Sequence, residues 1–193
     1  VYTNYEQLDQ IFARNSVCGV SFTGSSKGGA LIAEKAGKHL KRAVMELGGN
    51  DPFIVLDNAD LDLAIAGAIK SRSINSGQSC NAAKRFIVTE KNYSQFIEKL
   101  ANAVNALKVG DPMQEDTNIG PIARNDLAEK VRSQITKTIA QGAKAITNPS
   151  YISVKSNFVA PTILTDVTPM MCAFQEEIFG PVWTVIKANS TEH

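Results

Sequence analysis

The 193-residue sequence predicts an α/β fold, a sheet whose strands are joined by helices in right-handed crossovers. Short runs rich in β-branched and aromatic residues alternate along the chain with longer segments whose apolar residues recur every three or four positions. Glycine, proline and asparagine stand at the boundaries, where the chain turns. Ligands of such sheets gather at the carboxyl ends of the strands, so we expect the functional residues there.

The first 56 residues are predicted to form two helices and three strands. Leu8, Ile11 and Phe12 are spaced as one helix face, and the β-rich run that follows is broken by Thr23-Gly24-Ser25. Gly48-Gly49-Asn50-Asp51-Pro52 forms a second turn, because glycine and proline interrupt regular elements. In order, the predicted elements are helix 5–13, strand 17–22, a helix from Ala30 through Leu40, and strands 43–47 and 53–56.

The rest of the chain continues the alternation. Asp60 is predicted to cap a helix that ends before Asn75-Ser76-Gly77, so Cys80 falls just after a glycine turn. A buried strand is predicted over 182–186, after Gly180-Pro181. The other predicted elements are strand 85–89, helix 93–107, a long loop to about Pro121, a helix capped by Asn125 or Asp126 and ended by Gly142, strand 144–147 and an extended run over 158–164.

Composition and charge exclude several classes of protein. Hydrophobic residues make up 44% and charged residues 20%, the balance of a globular chain rather than a disordered one. The net charge of +1 argues against binding to nucleic acid or an anionic membrane. No apolar run reaches the roughly 20 residues of a membrane-spanning helix, and no signal peptide is recognisable. We therefore expect a cytoplasmic protein whose partners are small molecules or other subunits.

The cysteines and histidines predict neither a disulfide framework nor a metal site. Three widely separated cysteines form no CxxC pair, and Cys18 and Cys172 lie in apolar stretches typical of buried structural thiols. His39 and His193 have no second ligand or carboxylate at a useful spacing.

Gly24 and Ser25 lie in a small-residue turn between a strand and a helix, within Phe22-Thr23-Gly24-Ser25-Ser26-Lys27-Gly28-Gly29. Free backbone N–H groups and the positive end of a helix dipole attract phosphate at such a turn. The segment is not a GxGxxG fingerprint, and a tight turn without ligand is the alternative.

Glu46 ends an apolar strand just before Gly48-Gly49. A carboxylate in partly apolar surroundings has a raised pKa that suits a general base. The alternative is a surface carboxylate at a strand end. The glycines would allow a flat ring to approach the backbone, because no Cβ blocks it.

Cys80 follows Gly77-Gln78-Ser79, a flexible turn at a predicted helix end. A catalytic thiol needs access to solvent and help in forming the thiolate, whereas most lone cysteines are small buried hydrophobes. Both interpretations remain open on the motif alone.

Glu177 lies in Gln175-Glu176-Glu177-Ile178-Phe179-Gly180-Pro181, two adjacent acids and an aromatic residue before a buried strand. An acid beside a cofactor site can accept hydrogen bonds from ribose hydroxyls. A solvated acidic turn is the alternative.

Taken together and in order, SFTGS, ELGGN, GQSC and EEIFGPV resemble the motif series of the NAD(P)-dependent aldehyde dehydrogenases. Ile119-Gly120-Pro121 and Ala160-Pro161-Thr162 also look like signals of this family. The sequence is most similar to the succinate-semialdehyde dehydrogenase type, through Glu46 to Leu56, Gly77 to Phe86, and Gly110 to Glu115. The resemblance implies a three-layer α/β/α sheet.

The resemblance also implies a mechanism. Cys80 would be the nucleophile that forms a thiohemiacetal and then a thioester, and Glu46 the general base that activates water for hydrolysis. The backbone N–H of Cys80 would be one of two donors to the oxyanion, the other being an Asn side chain in an upstream motif.

The implied cofactor is NAD or NADP. By the same resemblance, Gly24 and Ser25 lie beside its pyrophosphate and Gly29 begins the helix that follows, while Leu47 and Gly48 lie beside the nicotinamide. Glu177 would bind the nicotinamide-side ribose, and Phe179 would pack near it. Lys84 and Arg85 resemble basic residues of the family, and either binding of a substrate carboxylate or pairing within the fold is open to them.

Members of this family are much longer than 193 residues. The resemblance implies that residues 1–47 are the carboxyl-terminal part of the NAD(P)-binding domain, and residues 48–193 most of the catalytic domain. We therefore expect this segment alone to be inactive, and its full-length parent to be a homodimer or homotetramer that oxidises a small aldehyde such as succinate semialdehyde.

Two other functions are compatible with the motifs. A CoA-acylating relative would transfer the thioester to coenzyme A instead of water, although Glu46 argues against it by family resemblance. A truncated, inactive paralogue could act as an interaction module.

Overall fold

A computed structural model describes residues 4–146 and 156–191. The chain divides into two compact units, Val1–Gly49 and Asn50–His193. No helix of the described residues is both long and apolar enough to cross a bilayer.

The first unit is a helix followed by a β-α-β crossover. Its elements are α1 (Tyr5–Phe12), β1 (Gly19–Thr23), α2 (Ser26–Lys38) and β2 (Arg42–Glu46). β1 and β2 are parallel, with Thr23 opposite Glu46 in the last register position. Buried Phe12, Ile32 and Ala36 form its core.

Helix α2 begins four residues before the predicted Ala30. The Ser25 side chain accepts a hydrogen bond from the Gly28 N–H at 3.2 Å, which caps the helix. The helix therefore runs through Gly28 and Gly29, residues whose low helix propensity favoured a turn in the sequence.

The second unit is built on a five-stranded sheet in the order β3-β4-β7-β6-β5. Every neighbouring pair is parallel except β5 with β6. Its elements are β3 (Pro52–Val55), α3 (Leu61–Ser73), a 3₁₀ turn (Ile74–Gly77), β4 (Arg85–Thr89), α4 (Glu90–Asn105), α5 (Asn125–Ala140), β5 (Lys144–Ala145), β6 (Thr162–Thr165), α6 (Cys172–Gln175) and β7 (Val182–Ala188).

Apolar side chains cover both faces of this sheet. Along β7, Trp183 and Val185 join the cluster formed with α3 and α4, whereas Val182 and Ile186 join the cluster formed with α5. Because side chains alternate between the faces of a strand, the sheet is the middle of three α/β/α layers. The predicted fold class is confirmed.

Several boundaries differ from the sequence predictions. α4 begins three residues before Tyr93, and β6 (Thr162–Thr165) begins four residues into the predicted run 158–164 and ends one residue after it. The short helix α6 was not predicted, because four residues carry too little periodicity to be recognised. Of predicted strand 144–147, Lys144–Ala145 is a strand, and Thr147 lies outside the described residues.

Candidate functional site

In the first unit, the predicted phosphate turn follows β1, and the predicted base is the last residue of the neighbouring strand β2. The Gly24 N–H donates to the Glu46 carbonyl at 3.0 Å, which continues the β1–β2 pairing by one residue. Both segments therefore lie at the carboxyl ends of parallel strands, as expected. Glu46 is exposed, so the partly apolar surroundings expected for it are not found.

Gly29 has a packing role in this unit. A Cβ atom on Gly29 would lie 2.6 Å from Cδ2 of Leu47, so a larger residue at this position would displace the Leu47 side chain that packs against α2. Leu47 is half-buried, and Gly48 beside it is exposed. The side chain of Leu47 is thus held against α2 while the backbone of Gly48 faces solvent.

In the second unit, Cys80 is exposed and follows a strained turn. Asn75, Ser76 and Gly77 have φ of 50°, 57° and 76°, three consecutive residues in the left-handed region. The Ser76 hydroxyl stabilises the turn, because it donates to the Gly120 carbonyl and accepts from the Gly120 N–H, both at 3.0 Å.

The side chain of Gln78, the residue after Gly77, connects this loop to neighbouring backbone. Its Oε1 accepts from the Ala123 N–H at 2.9 Å, and its Nε2 donates to the Asn75 carbonyl at 3.0 Å. The Ser79 hydroxyl donates to Asn81 Oδ1 at 2.6 Å. The loop that carries Cys80 is therefore fixed by hydrogen bonds on both sides of the thiol.

Lys84 is buried, with 2% of its side chain exposed, directly beneath this loop. Its ammonium donates to the carbonyls of Ser79, Cys80 and Ala82 at 3.1, 2.6 and 3.1 Å. The same nitrogen lies 3.3 Å from Oε1 of Glu177. Of the two interpretations of Lys84, pairing within the fold is the one that the structure shows.

Arg85 also contacts the fold. Its Nε donates to the Asn50 carbonyl at 2.8 Å, and its guanidinium lies over the Phe174 ring, 5.3 Å from the centroid. This stacking resembles a cation–π contact and fixes the residue that begins β4.

The Glu177 turn is held by Arg72, which is fully buried. Arg72 Nε donates to the Val182 carbonyl at 2.9 Å, and Nη2 donates to the Ile178 carbonyl. Burial lowers the pKa of Arg72 to about 10, and the nearby Glu177 carboxylate acts in the opposite direction. The guanidinium thus fixes both ends of the turn that carries Phe179, which is partly exposed.

Sequence reasoning missed Arg72, although a signal was present. Ile65, Ala68 and Arg72 are spaced by three and four residues, so helical periodicity places Arg72 on the buried side of α3. An arginine on a buried helix face requires acceptors inside the protein.

In this unit the candidate groups do not lie at the carboxyl ends of the strands, where they were expected. The Cys80 loop precedes β4 and the Glu177 turn precedes β7, and these strands are parallel neighbours. Both candidate groups therefore lie at the amino ends of the strands rather than at the carboxyl ends. Because β4 and β7 are parallel neighbours, the loops that precede them share one edge of the sheet.

The remaining cysteines and histidines differ in part from expectation. Cys172 is buried as predicted, and burial together with Glu176 raises its pKa. Cys18 is exposed, so the prediction of a buried thiol is wrong there. His39 was expected to lack a carboxylate, but its Nε2 lies 3.1 Å from Oδ1 of Asp9, which is 30 residues away and so invisible to local spacing. His193 lies outside the described residues.

Among the described residues, no group of His, Cys, Asp and Glu side chains could hold a metal ion.

The sequence model of the aldehyde dehydrogenase family matches residues 2–193. The chain is 45% identical to the succinate semialdehyde dehydrogenase [NAD(P)+] Sad of Escherichia coli, over 96% of this chain and 40% of that protein. It is 42% identical to the succinate-semialdehyde dehydrogenase [NADP(+)] of Deinococcus radiodurans, over 99% of this chain and 41% of that protein.

A solved structure is also similar. The succinic semialdehyde dehydrogenase of Streptococcus pyogenes in complex with NADP+ superposes with a TM-score of 0.94 at 40% identity, over 100% of this chain and 42% of that one. The chain thus spans about two fifths of the length of the curated relatives that it matches. The resemblance seen in the motifs is confirmed, and the chain belongs to the aldehyde dehydrogenase family.

Proposed function

We propose that the full-length protein oxidises an aldehyde to the carboxylic acid and reduces NAD or NADP, with succinate semialdehyde as the first candidate substrate. One observation carries the proposal: Cys80 is exposed on a loop whose backbone is fixed on both sides of the thiol. A nucleophile needs that combination of access and fixed geometry. The names of the E. coli and D. radiodurans relatives support the substrate and the cofactor.

Residues of both units fit the chemistry of a nicotinamide dinucleotide. The first turn of α2, capped by Ser25 with Gly24 before it, offers N–H groups that suit a phosphate. Glu177, whose side chain is 25% exposed, offers carboxylate oxygens that suit ribose hydroxyls. On the resemblance to the family, we also assign cofactor-binding roles to Gly29, Leu47, Gly48 and Phe179. When bound, the nicotinamide accepts the hydride.

The steps assigned to this chain begin at Cys80. The Cys80 thiol releases its proton to solvent and its sulfur adds to the aldehyde carbon; the resulting oxyanion accepts a hydrogen bond from the Cys80 backbone N–H. Among the hydrogen bonds of the described residues, none uses this N–H, so it is available as a donor. Loss of hydride leaves a thioester on Cys80.

Glu46 is assigned the second half of the reaction. Its carboxylate takes a proton from water, which attacks the thioester, and the carboxylic acid leaves as the thiol is restored. The exposure of Glu46 at a strand end gives water access to it.

We further propose that residues 1–47 are the end of the cofactor-binding domain and residues 48–193 the larger part of the catalytic domain; the two compact units divide two residues later, after Gly49. The full-length protein is proposed to be a homodimer or homotetramer, which light scattering on the purified protein measures directly.

The experiment that tests the function measures reduced nicotinamide formed by the full-length protein, with NAD and with NADP. Succinate semialdehyde is compared with butyraldehyde, which has the same carbon count without the carboxylate. Product analysis with and without coenzyme A separates hydrolysis from acyl transfer. No reduced nicotinamide with any aldehyde, or acyl-CoA as the only product, would contradict the proposal.

A further inference from the structure

The Lys84 ammonium is shared among more acceptors than it has protons. An ammonium has three N–H bonds, and four oxygens lie around it, on Ser79, Cys80, Ala82 and Glu177. Three of the four belong to the loop of the nucleophile, and the shortest distance, 2.6 Å, is to the carbonyl of Cys80 itself. Such a cation acts on the backbone of this loop rather than on a ligand.

The hydrogen bond from Lys84 to the Ser79 carbonyl also determines the direction of the Cys80 N–H. The Ser79 carbonyl and the Cys80 N–H belong to one planar peptide unit, and no described peptide bond is cis. In a trans peptide these two groups point in opposite directions. An ammonium that holds the Ser79 carbonyl inward therefore directs the Cys80 N–H away from Lys84.

The same bond polarises the N–H. A charge-assisted hydrogen bond to the carbonyl draws electron density from the amide nitrogen, and hydrogen bonds in series strengthen one another. Burial of Lys84 increases this effect, because little water screens its charge.

We infer that Lys84 is a positioning residue for the reaction: by binding the Ser79 and Cys80 carbonyls from below, it orients and polarises the Cys80 N–H that receives the oxyanion. The inference rests on the proposed function. Lys84 also forms an ion pair with Glu177, the residue assigned to the ribose. One cation therefore contacts both the loop that supplies the oxyanion donor and the residue proposed to bind the cofactor.

The test compares Lys84→Met with the wild type in the full-length protein. Met keeps an apolar stem of similar length and removes the cation. The matched control is Lys187→Met, which removes an exposed lysine paired with Glu90 at 3.0 Å. Two rates are measured: single-turnover formation of reduced nicotinamide, which passes through the oxyanion, and alkylation of Cys80 by iodoacetamide on its high-pH plateau, which does not.

For Lys84→Met we expect hydride transfer to fall by about tenfold or more, since loss of a whole oxyanion donor costs about 10²–10³. Plateau alkylation should stay within about twofold of wild type, and Lys84→Arg should recover part of the hydride-transfer rate. An unchanged hydride-transfer rate, or an equal loss in both rates, would overturn the inference.

A wild-type protein without activity would instead contradict the proposed function, so the two failures are distinguishable. If Lys84→Met does not fold, Lys84→Gln, which keeps two N–H donors without the charge, is measured in the same way and against the same outcomes.

Discussion

Gly77 and Gly180 lie in backbone contact, so close that a Cβ atom on Gly77 would penetrate the carbonyl group of Gly180. The first residue belongs to the turn before Cys80, and the second follows Glu177 and Phe179. Two motifs that are about a hundred residues apart in sequence are thus fixed against each other by the absence of a side chain.

Substitution of Gly77 by Ala should therefore destabilise the protein. Its φ of 76° disfavours any L-side chain, and the methyl group would displace the Gly180 backbone, at a combined cost of about 3 kcal/mol or more. Urea unfolding of the full-length protein measures the change. Gly67→Ala is the control, because its Cβ would meet only the Phe53 ring at 3.5 Å, and Ala in mid-helix should stabilise by about 0.5–1 kcal/mol. Equal midpoints for the two variants would contradict the interpretation.

Replacement of Cys80 by Ser should abolish formation of reduced nicotinamide in the full-length protein. A hydroxyl is a far weaker nucleophile than a thiolate near neutral pH. Cys18→Ser is a matched control, since Cys18 is also exposed but lies just before β1 and has no assigned role. Retained turnover in Cys80→Ser would refute the assignment of the nucleophile.

Replacement of Glu46 by Gln should slow hydrolysis of the thioester more than hydride transfer. Gln cannot accept the proton from water, so a burst of reduced nicotinamide should be followed by a steady rate lower by about 10²–10⁴. Rapid-mixing kinetics measures both phases, and Glu34→Gln on the exposed side of α2 is the control. A lost burst with unimpaired hydrolysis of the acyl-enzyme would contradict the role.

The cysteines should differ in reactivity. Cys172 is buried, and its pKa is raised by burial and by Glu176, so in native protein iodoacetamide should modify Cys18 and Cys80 well before Cys172. Peptide mass spectrometry with time resolves the three sites. Modification of Cys172 at the rate of the exposed thiols would show that this part of the core opens readily.

The raised pKa of Cys172 predicts that the stability of the protein depends on pH. Because the folded pKa of Cys172 lies above the unfolded value of about 8.5, the unfolded state loses its proton first as pH rises. The contribution of this group to stability is therefore complete below about pH 8.5 and declines above it. Cys172→Ala should flatten the alkaline side of the stability profile, measured by urea unfolding across that range, and an unchanged slope would refute this origin.

The sequence by itself determined the fold class, most strands and helices, and the place of Cys80 after a glycine turn. Those properties depend on local periodicity and on the conformations that glycine and proline allow, and both can be read within a window of about twenty residues. The motif series also identified the family, because each motif is short and contiguous.

Only the tertiary structure decided which acceptors the buried cations bind and at which end of the strands the candidate groups of the second unit lie. Arg72 meets its acceptors 106 and 110 residues away, and the ammonium of Lys84 is placed beside Glu177 by the pairing of β4 with β7. His39 likewise meets Asp9 only in the folded chain. A buried charge is stabilised by whichever acceptors the packing brings to it, and contacts between residues so distant in sequence leave no local pattern that could predict them.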